Sequence, residues 1–472
     1  MTIDARAEDT SDSAVRRAVS PRTHFLGPRQ TGGKQLGLPG RDLLYPKYSI
    51  RNKAAYLPSW NADRGGISNM TLNTDIIHQN GLAEYDVHNL YGTSKMQLPS
   101  PSHYPCSFLR HSIADGNLSI VMSSQCRDAM LKRRPSLRPL IITRSTFAGA
   151  GAKVGKWLGD NLSTWDHYRL SIRSMLAFST LYQMPVTGVD VCGFGGNTTE
   201  QLCARWAMLG AFAPFYRSHN EYRPTIPQEF YRWPVVTEAA RKAIEIRYRL
   251  LDYIYTAMHI QTVDGTPLVQ PLFFKYPNDP GTFGLELQYF YGPSLLVAPV
   301  PEENATFVDI YFPNDIFYDW YTHKKIQGQG KNITISDQSL TDIPLYLRGG
   351  VVIPTRIRSA MTTKELREQD FELLVPVDAD GKAEGRLYLD DGVSLVQNAV
   401  TDVTFRYARG VLTAKGKFGF NSEVNIKKVT VIGAGKVGKN KGGRGGAEGK
   451  SIALDVDQPL TGEFAITLDL EE

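Results

Sequence analysis

The sequence predicts an α/β segment followed by an all-β segment, and three observations predict it. Between residues 138 and 219 short apolar runs alternate with helix-length amphipathic stretches. A long amphipathic stretch follows at 237–260. After "DGTP" (264–267) the helical period vanishes, and short β-type runs separated by turns continue to the end. Strands alternating with helices form βα units and a parallel sheet. Many short strands without intervening helices form β-sandwiches.

Taken in order, residues 1–36 are polar and punctuated by Gly and Pro, and are read as disordered or extended. Residues 37–130 show little periodicity, except at 76–92, where Asp86 is expected to cap a helix opening at "HNLYG". "PLIITRS" (139–145) reads as a strand. In the helix predicted over 165–182, Tyr168, Ile172, Met175, Leu176 and Leu181 fall at helical spacing. A second strand is expected at 184–194, a helix at 199–212 and a strand end at 214–220. Residues 237–260 read as one helix with Ala243, Ile246, Leu250, Ile254 and Met258 along one face. The β-type runs that follow are assigned to two antiparallel sandwiches, over 267–354 and 355–472.

Composition narrows the classes. With 472 residues and 42% hydrophobic content, the chain can bury a large core. A net charge of +5 is too small to argue for nucleic acid. No run of roughly 18 apolar residues offers a membrane span. The first residues lack the apolar core of a secretory signal. Sequons at Asn69, Asn117, Asn161, Asn197, Asn304 and Asn332 nevertheless lean toward a secretory ancestry. Four cysteines make no disulfide scaffold; Cys192 and Cys203 could bridge, and no Cys or His spacing suggests a metal site. "GAGKVG" (433–438) spells a dinucleotide-binding fingerprint, with Asp455 near the ribose spacing. It continues into "KNKGGRGGAEGK", which cannot open the helix the fingerprint needs, so a glycine-rich hairpin loop is expected and a nicotinamide-dependent oxidoreductase is disfavoured.

The chemistry concentrates between Arg144 and His219. "KWLGDNLSTW" (156–165) sets Asp160 between Trp157 and Trp165. Aromatic rings stack on sugar C–H faces, and carboxylates bind sugar hydroxyls. Polar residues also stand at successive strand ends, where a barrel enzyme keeps its reactive groups: Arg144, Asp160, Asp190 and His219, with Trp157 and Phe194 nearby. Any one alone would more often be structural, since a carboxylate at a strand end commonly caps the next helix.

"RPLIITRSTFAGAGAKVGKWLGDN" and "GVDVCGFGGNTTEQLCARWAMLGAFAPFYRSHN" resemble the later half of a family 31 glycoside hydrolase barrel, the retaining α-glucosidase family. "AEYDVHNLYG", "LRGGVVIP" and "LYLDDG" are similar to it as well, and the resemblance covers 37–94 and 122–472. It implies a partial (β/α)8 TIM barrel over 37–266, comprising the last four or so βα units, then two β-sandwich domains. It implies retaining hydrolysis of terminal α-linked glucose from maltose-like substrates, without metal or cofactor. Asp160 is implied as the general acid/base. Arg144, Asp190 and His219 are implied to bind glucose hydroxyls, with Trp157 walling the pocket and Phe194 beside it. Cys192 and Cys203 match a pair disulfide-bonded in secreted members, and Asn197 a sequon often glycosylated there, so an extracellular or secretory location is implied.

Two departures shape the expectation. The family's nucleophile lies in a tryptophan-aspartate-methionine-asparagine-glutamate type motif, and no such motif occurs; "WNADRGG" (60–66) has the wrong neighbours. Residues 94–121 also interrupt the match as an irregular insertion, as an intron read as protein would. A truncated or degraded copy lacking the nucleophile is therefore expected, with a catalytically inactive sugar-binding fragment as the alternative. α-Xylosidases and α-glucan lyases share much of this half, so the sugar preference stays open.

Overall fold

The computed structural model describes residues 77, 81–87, 119–144, 146, 149–222, 225–433, 444–445 and 451–468. The chain divides into two compact units, one of residues 7–125 with 145–147 and one built on 126–144 and 148–472. Residues 1–36, the helix expected from His88 and most of the 94–121 insertion lie outside the described residues.

Ile77 bridges Ala83, and α1 (Glu84–Val87) follows. Asp86 thus lies inside a helical turn, its N–H donating to the Ala83 carbonyl at 3.0 Å. α2 (Ser119–Arg133) occupies a stretch read as lacking periodicity. It carries no apolar stripe for a periodicity argument to find; its signal is Lys132 and Arg133 in the last turn, where cations meet the negative end of the helix dipole.

The α/β segment forms as predicted. Strands β1 (Ile142–Thr143), β2 (Gly155–Trp157) and β3 (Thr187–Gly188) pair in parallel, with helix α3 (Trp165–Thr180) between β2 and β3. β4 (Asp190–Val191) continues β3 after one residue and pairs in parallel with β5 (Arg217–Ser218), which follows helix α4 (Glu200–Gly210). The strand expected over 184–194 therefore switches partner at Val189. Thr164 and Thr199 cap α3 and α4, accepting from the N–H groups of His167 and Leu202. The helix expected over 237–260 is two: α5 (Pro234–Arg249) and α6 (Leu251–Asp264). Leu250 at φ −91°, ψ 2° separates them, while its N–H still reaches Ile246 and its carbonyl still accepts from Ile254. Amphipathic spacing survives such a joint, so the sequence hides it.

The first sandwich has a six-stranded antiparallel sheet. Its strands are β6 (Val269–Gln270), β7 (Tyr289–Tyr291), β8 (Leu295–Val297), β10 (Ile316–Asp319), β11 (Lys325–Gln327) and β13 (Leu345–Arg348), in the spatial order β11-β10-β13-β8-β7-β6. β9 (Val308–Phe312) and β12 (Lys331–Ile335) form a separate pair. Apart from its edge strand β11, the large sheet is buried on both faces. Tyr289, Tyr291, Leu295, Val297, Tyr318, Leu345 and Leu347 join the core that contains Leu158, Tyr168 and Trp206. The alternate residues Phe290, Leu296, Phe317 and Tyr346 pack into a second core with Ile310 and Phe312.

The second sandwich has its own core, centred on Leu373, Leu387, Phe405 and Val429. One sheet combines β14 (Ile353–Arg356), β15 (Phe371–Pro376), β19 (Asn425–Ile432), β20 (Arg444–Gly445) and β21 (Ser451–Pro459); α7 (Thr363–Arg367) lies between β14 and β15. The other combines β16 (Lys382–Leu389), β17 (Thr401–Ala408), β18 (Val411–Phe418) and β22 (Phe464–Thr467). β15 and β19 are parallel, because the chain makes β16–β18 in the other sheet before returning. β21 runs antiparallel to β19, which a βαβ unit would not allow, and most of the glycine-rich letters between them, read as a hairpin loop, lie outside the described residues. Gly433 is required in place: a Cβ there would stand 2.0 Å from the Tyr318 hydroxyl.

Candidate active site

Two strand-to-helix loops build the site by one device. After β2 the chain turns through Gly159, at φ +90°, and presents Asp160. After β4 it turns through Cys192 at φ +73° and Gly193 at φ +94°. A Cβ on Gly193 would lie 2.4 Å from the Ser163 Cα, so the two loops touch backbone to backbone.

Asn161 locks them together. Its side chain is fully buried; Nδ2 donates to the Asp190 carbonyl at 2.8 Å and Oδ1 accepts from the Asp190 N–H at 3.2 Å. Its own carbonyl accepts from the N–H groups of Phe194 (2.6 Å) and Gly195 (3.0 Å). One amide thereby does for two strand ends what a ladder would do for long strands. Gln228 supports the far side, donating from Nε2 to the Gly193 carbonyl at 2.5 Å.

The functional side chains point from this frame. Arg144 Nη1 stands 3.7 Å from Asp160 Oδ2, an ion pair longer than a hydrogen bond, with side chains 33% and 41% exposed. Asp160 is thus open to solvent and ligand. Asp190 is the opposite case, a fully buried carboxylate whose Oδ1 accepts from Arg217 Nε at 2.8 Å and also from its Nη2. Its Oδ2 is buried with no hydrogen-bond partner among the described residues. Burial pushes the Asp190 carboxyl above its ordinary range; Arg217, by hydrogen bond and charge, and then the His219 charge pull it down, and the Asp160 charge adds to the rise. The Arg217 guanidinium also lies 5.3 Å from the Trp157 ring centroid. The Phe194 and His219 rings meet at 5.2 Å between centroids, tilted by 43°. Beneath, Lys156 is buried. Its ammonium donates to the Arg144 carbonyl and sits 4.7 Å from the Phe178 ring centroid. Burial, and then the Arg144 charge, lower its pKa to about 8.

Cys192 and Cys203 form a disulfide with Cα atoms 4.5 Å apart, fastening the second loop to the first turn of α4. Asn197 is exposed, its Oδ1 accepting from the Ile226 N–H at 2.8 Å. Among the described residues no group of three or more His, Cys, Asp or Glu side chains could hold a metal ion.

The geometry thus joins Asp190 to Arg217, Arg144 to Asp160 and Phe194 to His219, and sets Trp157 under Arg217. Sequence reasoning missed Arg217, Asn161, Gln228 and Lys156. Arg217 was findable: it stands two residues before His219 on one strand end, and alternate strand residues share a face.

A profile described as "Glycosyl hydrolases family 31 TIM-barrel domain" matches residues 52–257, and one described as "Glycosyl hydrolase family 31 C-terminal domain" matches 265–353. The chain belongs to glycosyl hydrolase family 31. Among its family 31 relatives, "Probable alpha/beta-glucosidase agdC" of Neosartorya fischeri is 52% identical over 446 residues, covering 93% of this chain and 46% of that protein. The protein of the same name from Aspergillus fumigatus is 54% identical over 406 residues, 86% of this chain and 42% of that one. The family 31 chain therefore spans under half the length of these curated relatives. In three dimensions it is similar to a glucosidase II alpha subunit bound to alpha3-Glc2, with a TM-score of 0.71 and 27% identity, covering 87% of this chain and 45% of that one. A Flavobacterium johnsoniae dextranase of the family shares the fold, with a TM-score of 0.68 at 21% identity.

Proposed function

We propose that this chain carries the acid/base half of an α-glucosidase site, acting on terminal α-linked glucose with retention of configuration. The observation that carries the reading is the pairing of an open carboxylate, Asp160 beside Arg144, with a buried one, Asp190, whose Oδ2 is unpartnered. An exposed acid exchanges protons with water and leaving group; a buried acceptor backed by an arginine holds a hydroxyl. Asp160 gives its proton to the departing glycosidic oxygen, then takes one from the incoming water. Asp190 Oδ2 accepts from a glucose hydroxyl, Arg144 and His219 bind neighbouring hydroxyls, and Trp157 and Phe194 face the sugar ring.

Retention also needs an attacking carboxylate roughly 5–5.5 Å from the acid. Asp190 is committed to Arg217 and does not suit that role. The family's nucleophile motif does not occur in the 472 residues. That favours a second reading, a sugar-binding protein without turnover.

The relatives' names and the glucosidase II likeness support an α-glucoside as ligand and a secretory or extracellular setting. No described helix is long and apolar enough to cross a membrane. An N-linked glycan on Asn197 fits the geometry, since substitution at Nδ2 leaves Oδ1 free for Ile226. We assign residues 37–266 to the partial barrel, interrupted at 94–121, and 267–354 and 355–472 to the two sandwiches.

The test is hydrolysis of a chromogenic α-glucoside by this chain and by Asp160→Asn, with the product anomer followed by NMR. Release of the α-anomer, lost in the variant, supports the enzyme. No release from either, with glucose still quenching tryptophan fluorescence, supports the binding protein. Neither release nor binding sinks both.

A further inference from the structure

The four sequons among the described residues, Asn161, Asn197, Asn304 and Asn332, divide by environment in a way that the motif alone cannot show. Asn161 is fully buried and both ends of its amide hold the Asp190 backbone, so a sugar on Nδ2 has no space and would part the two site loops. Asn304 and Asn332 present the opposite environment. Asn304 is exposed at the tip of the turn after Pro301, in the left-handed region at φ +59°, where asparagine is tolerated far better than most residues. Its amide makes no hydrogen bond among the described residues. Asn332 is exposed on β12, which pairs only with β9 among the described strands. Ile333 and Ile335 pack toward the core that holds Ile310 and Phe312, so the alternate positions Asn332 and Thr334 face outward.

We propose that Asn304 and Asn332 are N-glycosylation sites of the folded protein and that Asn161 is not. In the transfer, the amide nitrogen Nδ2 attacks C1 of a lipid-pyrophosphate-linked oligosaccharide. The C1–O bond to phosphate breaks, the electron pair leaves with the lipid pyrophosphate, and Nδ2 gives up one proton. The glycan on Asn332 has a structural use. β12 offers unpaired backbone groups along its outer edge, and a bulky hydrophilic substituent there blocks edge-to-edge pairing with another chain.

The inference rests on the secretory setting proposed above only for its occurrence in the native host; which asparagines tolerate a glycan follows from the fold. The test separates the two. The full chain, fused to a secretory leader, is expressed in yeast, and secreted and cell-retained fractions are treated with peptide-N-glycosidase in heavy-oxygen water and peptide-mapped. The expected result is labelled aspartate at 304 and 332 and unmodified Asn161 in the secreted fraction. Asn304→Gln and Asn332→Gln should each remove one glycan-sized step in gel mobility. Oligosaccharide is transferred before folding completes, so occupancy at Asn161 confined to the retained fraction agrees with the proposal. Occupancy of Asn161 in secreted protein overturns it, and a bare Asn304 or Asn332 in both fractions overturns the assignment of that position. If the chain isolated from its own host without the leader is bare while the fused chain is labelled as expected, the secretory setting fails and the site assignment stands.

Discussion

The barrel segment and the second sandwich hold themselves together by different means. β1–β5 are two or three residues long, whereas β16, β17 and β18 each run eight residues and zip through continuous backbone ladders. In the sandwich the backbone satisfies itself. In the barrel, side chains finish what short strands leave open: Asn161 on Asp190, Gln228 on Gly193, and Arg247 Nη1 on the carbonyls of Ala211 (2.7 Å) and Ala213 (2.6 Å). The site therefore lies where stability and chemistry share residues, and the sandwich is where they do not.

The largest expected effect isolates chemistry. Asp160→Asn should lower any α-glucoside hydrolysis by about 10²–10⁴-fold, yet leave urea stability within about 0.5 kcal/mol, since the side chain is 41% exposed. A large stability loss would break the contrast between Asp160 and its buried neighbours. Next, Phe405→Ala, deep in the second sandwich, should cost about 3–5 kcal/mol. All six tryptophans precede residue 321, so their fluorescence reports on other parts of the chain. In this variant, circular dichroism of the β strands should be lost at lower urea than tryptophan fluorescence; coincident transitions would show the regions unfold as one.

Asn161→Ala should cost about 2–4 kcal/mol, because it strands a buried N–H and a buried carbonyl of Asp190. Unlike Phe405→Ala, it should also weaken glucose binding in a fluorescence titration. Cys203→Ser, opening an 11-residue separation, should cost about 2–3 kcal/mol, read by urea unfolding under oxidising conditions.

The last effect is a pH slope. The folded Lys156 amine titrates near pH 8 against an ordinary 10.5. Between these values the unfolded chain holds a proton that the folded chain has released, so raising the pH favours the folded state. Lys156→Met should remove that contribution, of up to about 1.4 kcal/mol per pH unit. Unfolding curves at pH 8 and pH 10 for both proteins check the sign.

Much of this arrangement was legible because periodicity and strand-end polarity survive in the letters. Asp160, Asp190 and His219 announced themselves as polar residues where apolar strands stop, and the α/β to all-β transition follows from the loss of the 3.6-residue period after Pro267. The joint at Leu250 stayed hidden because Ala243, Ile246, Leu250, Ile254 and Met258 keep a helical spacing across it and pack on one core. α2 stayed hidden because it has no such face. The parallel pairing of β15 with β19 is a matter of which strands meet, and strand order leaves no local trace. Asn161 looked like a sequon and a neighbour of the acid; its role depends on a contact 29 residues away.

The six-stranded sheet of the first sandwich has a practical consequence for anyone recombining these enzymes. One face of β7, β8 and β13 completes the interior around Trp206, and the other lines a separate interior with Phe312. A chimera joined at Gly265 would exchange only one side of a jigsaw fitted on two sides, and would mate mismatched tyrosine and leucine shapes. Crossovers placed just after Gly350 keep that sheet whole and divide the first interior only at the smaller contribution of Val351, Ile353, Leu374 and Ile432.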